Sequence, residues 1–542
     1  MRSQCLPWTQ IPHTTRLFAD FLAYSPKIRA FYPASPHFDE WFKFEAGQIR
    51  YDTNRRHRVA DILERQNRSW SASPKTMENI ARLRAGAAAV VTGQQVGLFG
   101  GPLFSIFKAL TAVKLADDAS AGGVNCVPIF WLATQDHDLA EVNHVSIPGA
   151  ESVLQTFATP TQGLTDAPVG AITFGPEIEA VVNAAADLLG DSDIVAFLRD
   201  SYRPGETFGS AFARLFARLF ADWGVILLDA ADPAVNHLAR PIYHEAIERA
   251  AELNQTLLAR GRELEAAGYH QQVKVTAAST LLFALQNGSR VPVHHEVRGS
   301  EAAAQFLVGE ERLSQQELLR RIDAEPENFS ANVLLRPVKQ DYLLPTLAYT
   351  GGAAEVAYFA QAAVVYEALA GKTTPIVPRF SASIVEHKPK ALLERYDLSP
   401  EQVFHGPDVL REALAEKSFP PELEASFDQA RASLERSLAA IREKLASLDK
   451  TLIDSATHAE EKMKYQLGQL RSRAARAELR QTEVLTRHAD LLSNSLYPNK
   501  TLQEREVAAL YFLARHGLGL LREVYATIRS ECLEHQALFL DE

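Results

Sequence analysis

The chain has 542 residues, enough for about three or four domains, with 46% hydrophobic and 23% charged residues, as in ordinary globular proteins. A formal net charge of −11 excludes broad nucleic-acid affinity, because phosphate binding needs an accumulated positive surface. The three cysteines, Cys5, Cys126 and Cys532, form no disulfide framework or metal-binding pair by spacing, and neither a signal core nor a membrane-length apolar run occurs. A reducing cytoplasm, with no membrane partner, is the expectation.

Residues 1–85 mix aromatic stretches with a basic segment from Arg50 to Arg68, which reads as a solvated helix face. From Val90 a short apolar run ends in Thr92-Gly93-Gln94-Gln95. A glycine loop follows, with Gly97, Gly100 and Gly101, and then Pro102 opens a helical spacing that carries Lys108. Buried strand, glycine loop and helix N-terminus suit an anionic ligand, since first-turn N–H groups are unpaired and the dipole end is positive. The spacing is neither that of a P-loop nor that of the dinucleotide fingerprint. Val124–Ala133 is a continuous apolar run of strand length, as in a strand buried on both faces of a parallel sheet. With the first strand it makes a βαβ unit, whose ligands sit at the strands' carboxyl ends. There the second strand runs into Thr134-Gln135-Asp136-His137-Asp138.

Short strands and turns are predicted over 141–175, a helical pair over 176–198, an amphipathic helix over Ser210–Trp223 and another buried strand over Val225–Asp229. His237–Ala267 reads as helix, Leu281–Val293 as a hairpin turning at Asn287-Gly288, and Ser300–Ala324 as helix again. The core resumes at Asn332–Pro337, and Tyr349-Thr350-Gly351-Gly352 is a second glycine loop opening a helix with Glu355 in its first turn. From Leu434 through Leu452 apolar residues alternate by four and three, and the phase continues to Ala477. One helix of about 110 Å at 1.5 Å per residue and an antiparallel hairpin turning near Asp449–His458 fit equally well. A final amphipathic helix pair closes the chain.

The predicted class is α/β. A Rossmann-like parallel core occupies 1–240 and 331–420, an α+β insertion 241–330, a helical coiled coil 421–497 and C-terminal helices 498–542. His137, Asp138, Glu141 and His144 are possible metal ligands, but the spacing is not His-Glu-x-x-His, and substrate recognition or acid/base use is the preferred reading. Asp136 can orient the His137 ring. Lys388 and Lys390 read either as a mobile pair that stabilises phosphate charge or as two solvated lysines. No serine nucleophile elbow is present.

Four blocks in order, VVTGQQVGLFGGPLFSIFK, PIFWLATQDHDLAEVNH, LLRPVKQDYLLPTLAYTGGAAEVAYFAQ and LYPNKTLQER, closely resemble the bacillithiol biosynthesis cysteine-adding enzyme family BshC over nearly the whole chain. The resemblance implies a core related to class I aminoacyl-tRNA synthetases, with connecting-peptide insertions and a coiled coil that makes a homodimer. It implies ligation of L-cysteine to glucosaminyl-malate in the last step of bacillithiol biosynthesis. ATP, with Mg2+ as a compatible counter-ion, would activate the cysteine carboxylate as an adenylate. Where those synthetases carry His-x-Gly-His this chain has Gly-Gly-Pro-Leu, and their late lysine signature is matched only loosely by Lys388 and Lys390. No zinc is expected.

Residues and resemblance together give Asp136, His137 and Asp138 the catalytic positions. Gly93, Gln94, Gln95, Gly100, Gly101, Lys108, Lys388 and Lys390 are placed at the nucleotide or phosphate end. Asn143, His144, Arg336, Tyr349, Gly351 and Gly352 are placed at the substrates, with Arg336 suited to a carboxylate. Two alternatives are a metal-dependent hydrolase or transferase using the His137–His144 segment, and a non-catalytic nucleotide-binding interaction protein.

Overall fold

The computed structural model describes residues 1–160, 166–296, 305–417, 420–449, 451–481, 483–529 and 531–541. Its strands are β1 (Arg2–Leu6), β2 (Ala88–Gln94), β3 (Cys126–Leu132), β4 (His144–Pro148), β5 (Leu154–Ala158), β6 (Ile226–Asp229), β7 (Ser279–Gln286), β8 (Ser289–Glu296), β9 (Gln305–Val308), β10 (Glu311–Ser314), β11 (Phe329–Ala331), β12 (Thr346–Gly351), β13 (Ile376–Pro378), β14 (Ala382–Val385) and β15 (His535–Phe539).

The apolar runs become the central sheet, in the order β13-β12-β2-β3-β6, with every pairing parallel. Numbered along the chain as five core strands, this is the 3-2-1-4-5 order of a Rossmann-like sheet, with its switch point between β2 and β12. Burial on both faces explains why β3 has no polar alternation: all seven residues are buried. Val127, Ile129 and Trp131 pack into one core, Phe130 and Leu132 into another. The helices Phe104–Ala121 and Ala353–Ala370 follow β2 and β12. They are apolar nearly all round, because each lies between the sheet and further structure.

The insertion is an antiparallel sheet, β10-β9-β8-β7-β11. Asn287 and Gly288 both take positive φ, 52° and 81°, and make the predicted hairpin turn. The helix expected over Ser300–Ala324 is corrected. Ser300 lies outside the described residues, and 305–314 form the β9–β10 hairpin, whose Phe306, Val308 and Leu313 are buried. Helix begins only at Gln315, where Ser314 and Glu317 form a capping box.

A small sheet, β1-β15-β14, joins the two ends of the chain, where the sequence suggested only helices at the C-terminal end. It also corrects the reading of three unrelated thiols. Pairing of β1 with β15 brings together Cys5 and Cys532, 527 residues apart, in a disulfide. Cys126 is buried in β3, and burial pushes its thiol up to about 12. The core sheet ends at Pro378, so residues from Ala382 onward join the C-terminal unit rather than the core segment expected to run to 420.

The heptad stretch folds as a hairpin of Pro421–Leu448 and Leu452–Gln481, one of the two arrangements compatible with its spacing. Arg442–Glu460 (2.5 Å), Lys464–Glu435 (2.9 Å) and Arg471–Glu424 (2.6 Å) staple the arms. Its base packs on helices His387–Arg395, Pro407–Lys417 and Glu483–Leu496 through Leu392, Leu410, Leu414 and Leu492.

The C-terminal unit is fixed to the core by a buried polar joint. Glu504 accepts both guanidinium arms of Arg379 (2.6 and 3.0 Å), the Ser381 hydroxyl and the Ala382 N–H. The Gln503 side-chain amide bonds the Ile384 backbone in both directions, like an added strand residue. His535 bridges Ser381 and Ser383, and burial pushes its imidazole down to about 4. Glu504→Gln leaves Arg379 buried and uncompensated. The expected loss is about 3–5 kcal/mol, read from the denaturant midpoint, and a loss below about 1 kcal/mol would show that the pair does not hold the joint.

Candidate active site

At the switch point the carboxyl ends of β2 and β12 diverge and open a cavity of about 1050 Å3. That lies at the upper end of the roughly 300–1,000 Å3 range of small-molecule sites.

The first wall is the loop after β2. Phe99, Gly100 and Gly101 take positive φ in succession, 52°, 84° and 72°. Tyr202 clamps this turn, accepting from Gly100 N–H (3.1 Å) and donating to the Gly97 carbonyl (3.3 Å). Gly97 and Gly101 line the cavity. Gly100 is not among the lining residues, because its N–H is spent on Tyr202. Lys108, one turn into the following helix, is buried. It donates to the Gly93 carbonyl (2.8 Å) and Gln94 Oε1 (2.9 Å) and pairs with Glu355 Oε2 (2.7 Å). Burial pulls its ammonium down to about 8 against the opposing pull of Glu355.

Glu355 belongs to the second glycine loop. Tyr349 Oη donates to it (2.6 Å), as does the Gly352 N–H (2.7 Å). Burial would raise its carboxyl, but Lys108 and these donors hold it below the usual range. Only glycine fits at 351, where a Cβ would come within 2.7 Å of the Glu355 Cβ. Gly352 and Tyr349 line the cavity, whereas Gly351 shapes the turn beneath it.

The other half of the mouth follows β3. Asp136 accepts from Gln95 Nε2 (2.8 Å) and the His137 N–H (2.9 Å), with Arg290 Nη1 at 3.5 Å. Burial pushes its carboxyl up, yet the His137 and Gln95 hydrogen bonds and the Arg290 charge hold it below its ordinary value. Arg290 Nη1 also lies 3.1 Å from His137 Nδ1. A guanidinium only donates, so Nδ1 accepts and the ring proton resides on Nε2. Arg290 is fixed by Ser330 Oγ (2.9 Å), the Ala331 carbonyl (3.0 Å) and the Phe283 face (3.9 Å).

Two further cations reach the cavity from the helix Arg336–Leu343. Arg336 donates to Tyr358 Oη (2.6 Å) and Gln340 Oε1 (3.1 Å). Among the described residues it has no carboxylate partner within ion-pair distance. Lys339 donates to Asn236 Oδ1 (2.9 Å) and Gln135 Oε1 (3.2 Å), and burial pulls its ammonium down to about 7.

The cavity therefore gathers Gly93, Gln94, Gln95, Gly101, Lys108, Asp136, His137, His144, Arg336, Tyr349 and Gly352 of the residues anticipated from sequence. Asp138 and Asn143 lie just outside its lining. Asp138 caps the short helix Leu139–Val142 through Glu141 N–H, and Asn143 contacts the exposed His144 ring. Lys388 and Lys390 are not at the cavity. They lie on the helix His387–Arg395 of the C-terminal unit, Lys388 exposed to solvent. Among the described residues no three His, Cys, Asp or Glu side chains come together as a metal site.

Sequence reasoning missed Arg290, Lys339, Arg379 and Arg505. Lys339 was within reach, three residues from Arg336 on one helix face. Arg290 and Arg505 carry no local signal, since only tertiary folding delivers them.

Models of two domain families match the chain: "Bacillithiol biosynthesis BshC, N-terminal Rossmann-like domain" over residues 1–380 and "Bacillithiol biosynthesis BshC, C-terminal coiled-coil domain" over 382–540. A Koribacter versatilis protein named "Putative cysteine ligase BshC" is 52% identical over 99% of this chain and 100% of its own length. Proteins of the same name from Solibacter usitatus and Geobacillus thermodenitrificans are 36% and 30% identical, covering 99% and 95% of this chain and 100% and 96% of their own lengths.

Lys339 gives the site a pH signature. Its folded pKa, about 7, lies below the ordinary 10.5, so the unfolded chain binds more protons between these values and stability rises with pH across that window. Lys339→Met removes the penalty. The variant should gain on the order of a few kcal/mol over wild type at pH 6, a gain that shrinks from pH 7 to 10. Guanidinium midpoints at pH 6, 8 and 10 check this, and a pH-independent difference would refute it.

Proposed function

The chain belongs to the bacillithiol biosynthesis BshC family, and on that premise we propose that it ligates L-cysteine to the amine of glucosaminyl-malate with consumption of ATP. The observation that carries this reading is the convergence, in one cavity, of the Asp136 carboxylate, the His137 ring held by Arg290, and cations without carboxylate partners. Both organic substrates carry carboxylates, one on cysteine and two on the malate arm, so the cationic lining suits them although the chain's net charge is −11.

Asp136, held ionised, accepts from a substrate amino group and keeps it oriented. His137 Nε2–H donates to the carbonyl oxygen as charge gathers on it during amide formation, and Arg290 holds the ring in that tautomer. Arg336 offers a planar fork to a carboxylate of the malate arm. ATP supplies the activation of the cysteine carboxylate. The residues fit a polyphosphate in chemistry, with a glycine loop, an uncapped helix N-terminus and Lys108 beneath them. The 3-2-1-4-5 sheet with its inserted antiparallel domain supports kinship with class I aminoacyl-tRNA synthetases. The use of ATP in this reading accords with a cytoplasmic reaction. No zinc takes part in this scheme.

The helical hairpin exposes Ile441, Leu448, Met463, Tyr465 and Leu470 along a stalk whose first helix has no fully buried residue. Such a stripe supports a homodimer through the coiled coil. Sedimentation of an Ile441→Glu, Leu470→Glu double variant should show monomer where wild type shows dimer, and a monomeric wild type would remove the dimer.

Purified protein with L-cysteine, glucosaminyl-malate and ATP should yield bacillithiol, followed by thiol derivatisation and mass spectrometry. His137→Ala should lower kcat by roughly 10²–10³-fold with intact folding. Absence of product with wild type would overturn the ligase reading.

A further inference from the structure

The mobile cation that sequence reasoning sought in Lys388 and Lys390 has a counterpart at the cavity. Arg505 lines it, although it belongs to the C-terminal unit. The two residues before it are locked, Gln503 on the β14 backbone and Glu504 on Arg379, so the root of its side chain is fixed. The guanidinium stands 5.9 Å from the Phe104 ring centre, over the first residue of the helix Phe104–Ala121. It is exposed and, among the described residues, has no ion pair or side-chain hydrogen bond.

The helix end that it faces is committed in part: the Ser105, Ile106 and Phe107 N–H groups bond back to Pro102 and Leu103, while among the described residues the Phe104 N–H has no acceptor. No side chain caps its first turn. Ser105, fully buried and part of the cavity lining, has an Oγ without any hydrogen-bond partner. A buried hydroxyl left unpaired is costly, so its presence beside an uncapped helix end points to a ligand that completes it. Gly101 keeps the approach open: with φ of 72°, a Cβ there would come within 3.3 Å of Ser105 Oγ. The neighbouring carboxylates are engaged, Glu355 with Lys108, Glu504 with Arg379, and Glu506 with Asn499 Nδ2 (3.1 Å).

We propose that Ser105 Oγ, the Phe104 N–H at the positive end of the helix Phe104–Ala121 and the Arg505 guanidinium form one phosphate seat, with Arg505 a positioning residue delivered across the domain joint. The seat rests on the ligase reading only for the identity of the nucleotide whose phosphates it takes. Arg505 gives it a bidentate donor from outside the core, and the core alone has an incomplete site. The same oxyanion chemistry could come from a dicarboxylate, and the experiment separates the two.

Calorimetric titration of the full-length protein with inorganic pyrophosphate, and separately with L-malate, tests the proposal. Wild type should bind pyrophosphate saturably. Arg505→Ala should weaken it at least tenfold, and Arg505→Lys by a smaller factor, since the charge remains and the fork is lost. Ser105→Ala should weaken it about threefold to tenfold without loss of thermal stability, because the hydroxyl it deletes is unpaired. Malate affinity should stay unchanged in all three. Arg505 is exposed and Ser105→Ala removes only an unpaired hydroxyl, so these proteins will fold. Unchanged pyrophosphate affinity in Arg505→Ala, no saturable binding by wild type, or selective loss of malate would each overturn the seat. Normal pyrophosphate behaviour without ligation product would leave the seat standing and remove the ligase reading.

Discussion

The buried ion pair between Lys108 and Glu355 is the constraint on which the rest of the site depends. At a switch point neighbouring strands send their helices to opposite faces of the sheet, and nothing in the sheet ladder closes the gap between them. Here the helices after β2 and β12 contribute to different cores, and the pair ties their first turns together. Two charges removed from water are stable only if their remaining donors and acceptors are matched. They are: Lys108 also holds Gly93 and Gln94, and Glu355 also holds Tyr349 and Gly352. The backbone at both strand ends is thereby fixed. From it Gln95 reaches Asp136, which in turn holds the His137 N–H.

The site is assembled from three parts of the chain, each bringing a cation. The core supplies Lys108, Arg336, Lys339 and Arg379, the inserted hairpin Arg290, and the C-terminal unit Arg505. In an acidic protein this concentration has to be built locally, and half of it is neutralised in place, Lys108 by Glu355 among them. Arg379 is covered by Glu504, and Arg290 leans on Asp136. Among the described residues Arg336, Lys339 and Arg505 have no carboxylate within ion-pair distance, which leaves the cavity poised for anions. The Glu504 joint matters here beyond stability. The residue that follows it reaches the cavity mouth, so the orientation of the C-terminal unit and the shape of the site are coupled.

The same joint explains why the two chain ends meet. β15 lies between β1 and β14, and His535 at its start is buried against Ser381 and Ser383. A sheet made from the first residues, the last residues and a segment just past the core closes the C-terminal unit over the edge of the core. The helical hairpin then projects from a base that is itself well packed, while its own arms are held mainly by ion pairs.

The sequence by itself determined the parts whose signal is local. Continuous apolar runs gave β2, β3 and β6, because strands buried on both faces need no polar alternation. Asn287-Gly288 gave the hairpin turn, because both positions require positive φ. The two glycine loops located the mouth, and the heptads located the stalk. Tertiary structure decided the rest. The spacing of heptads is identical in a hairpin and in a long helix, and the extended backbone at Asp449 with the half-buried Leu434, Leu438 and Leu445 is what makes it a hairpin. The stretch before Gln315 contains no residue that forbids helix, and burial of Phe306 and Val308 on a neighbouring sheet made it β. Gly100, Asp138, Lys388 and Lys390 fell outside the cavity lining because their backbone or helix position commits them elsewhere. Arg290 and Arg505 entered it from 153 residues beyond His137 in one case and from another domain in the other. Periodicity records which face of an element is buried, but the partner of a charge is set by which elements meet, and that is a property of the packed chain alone.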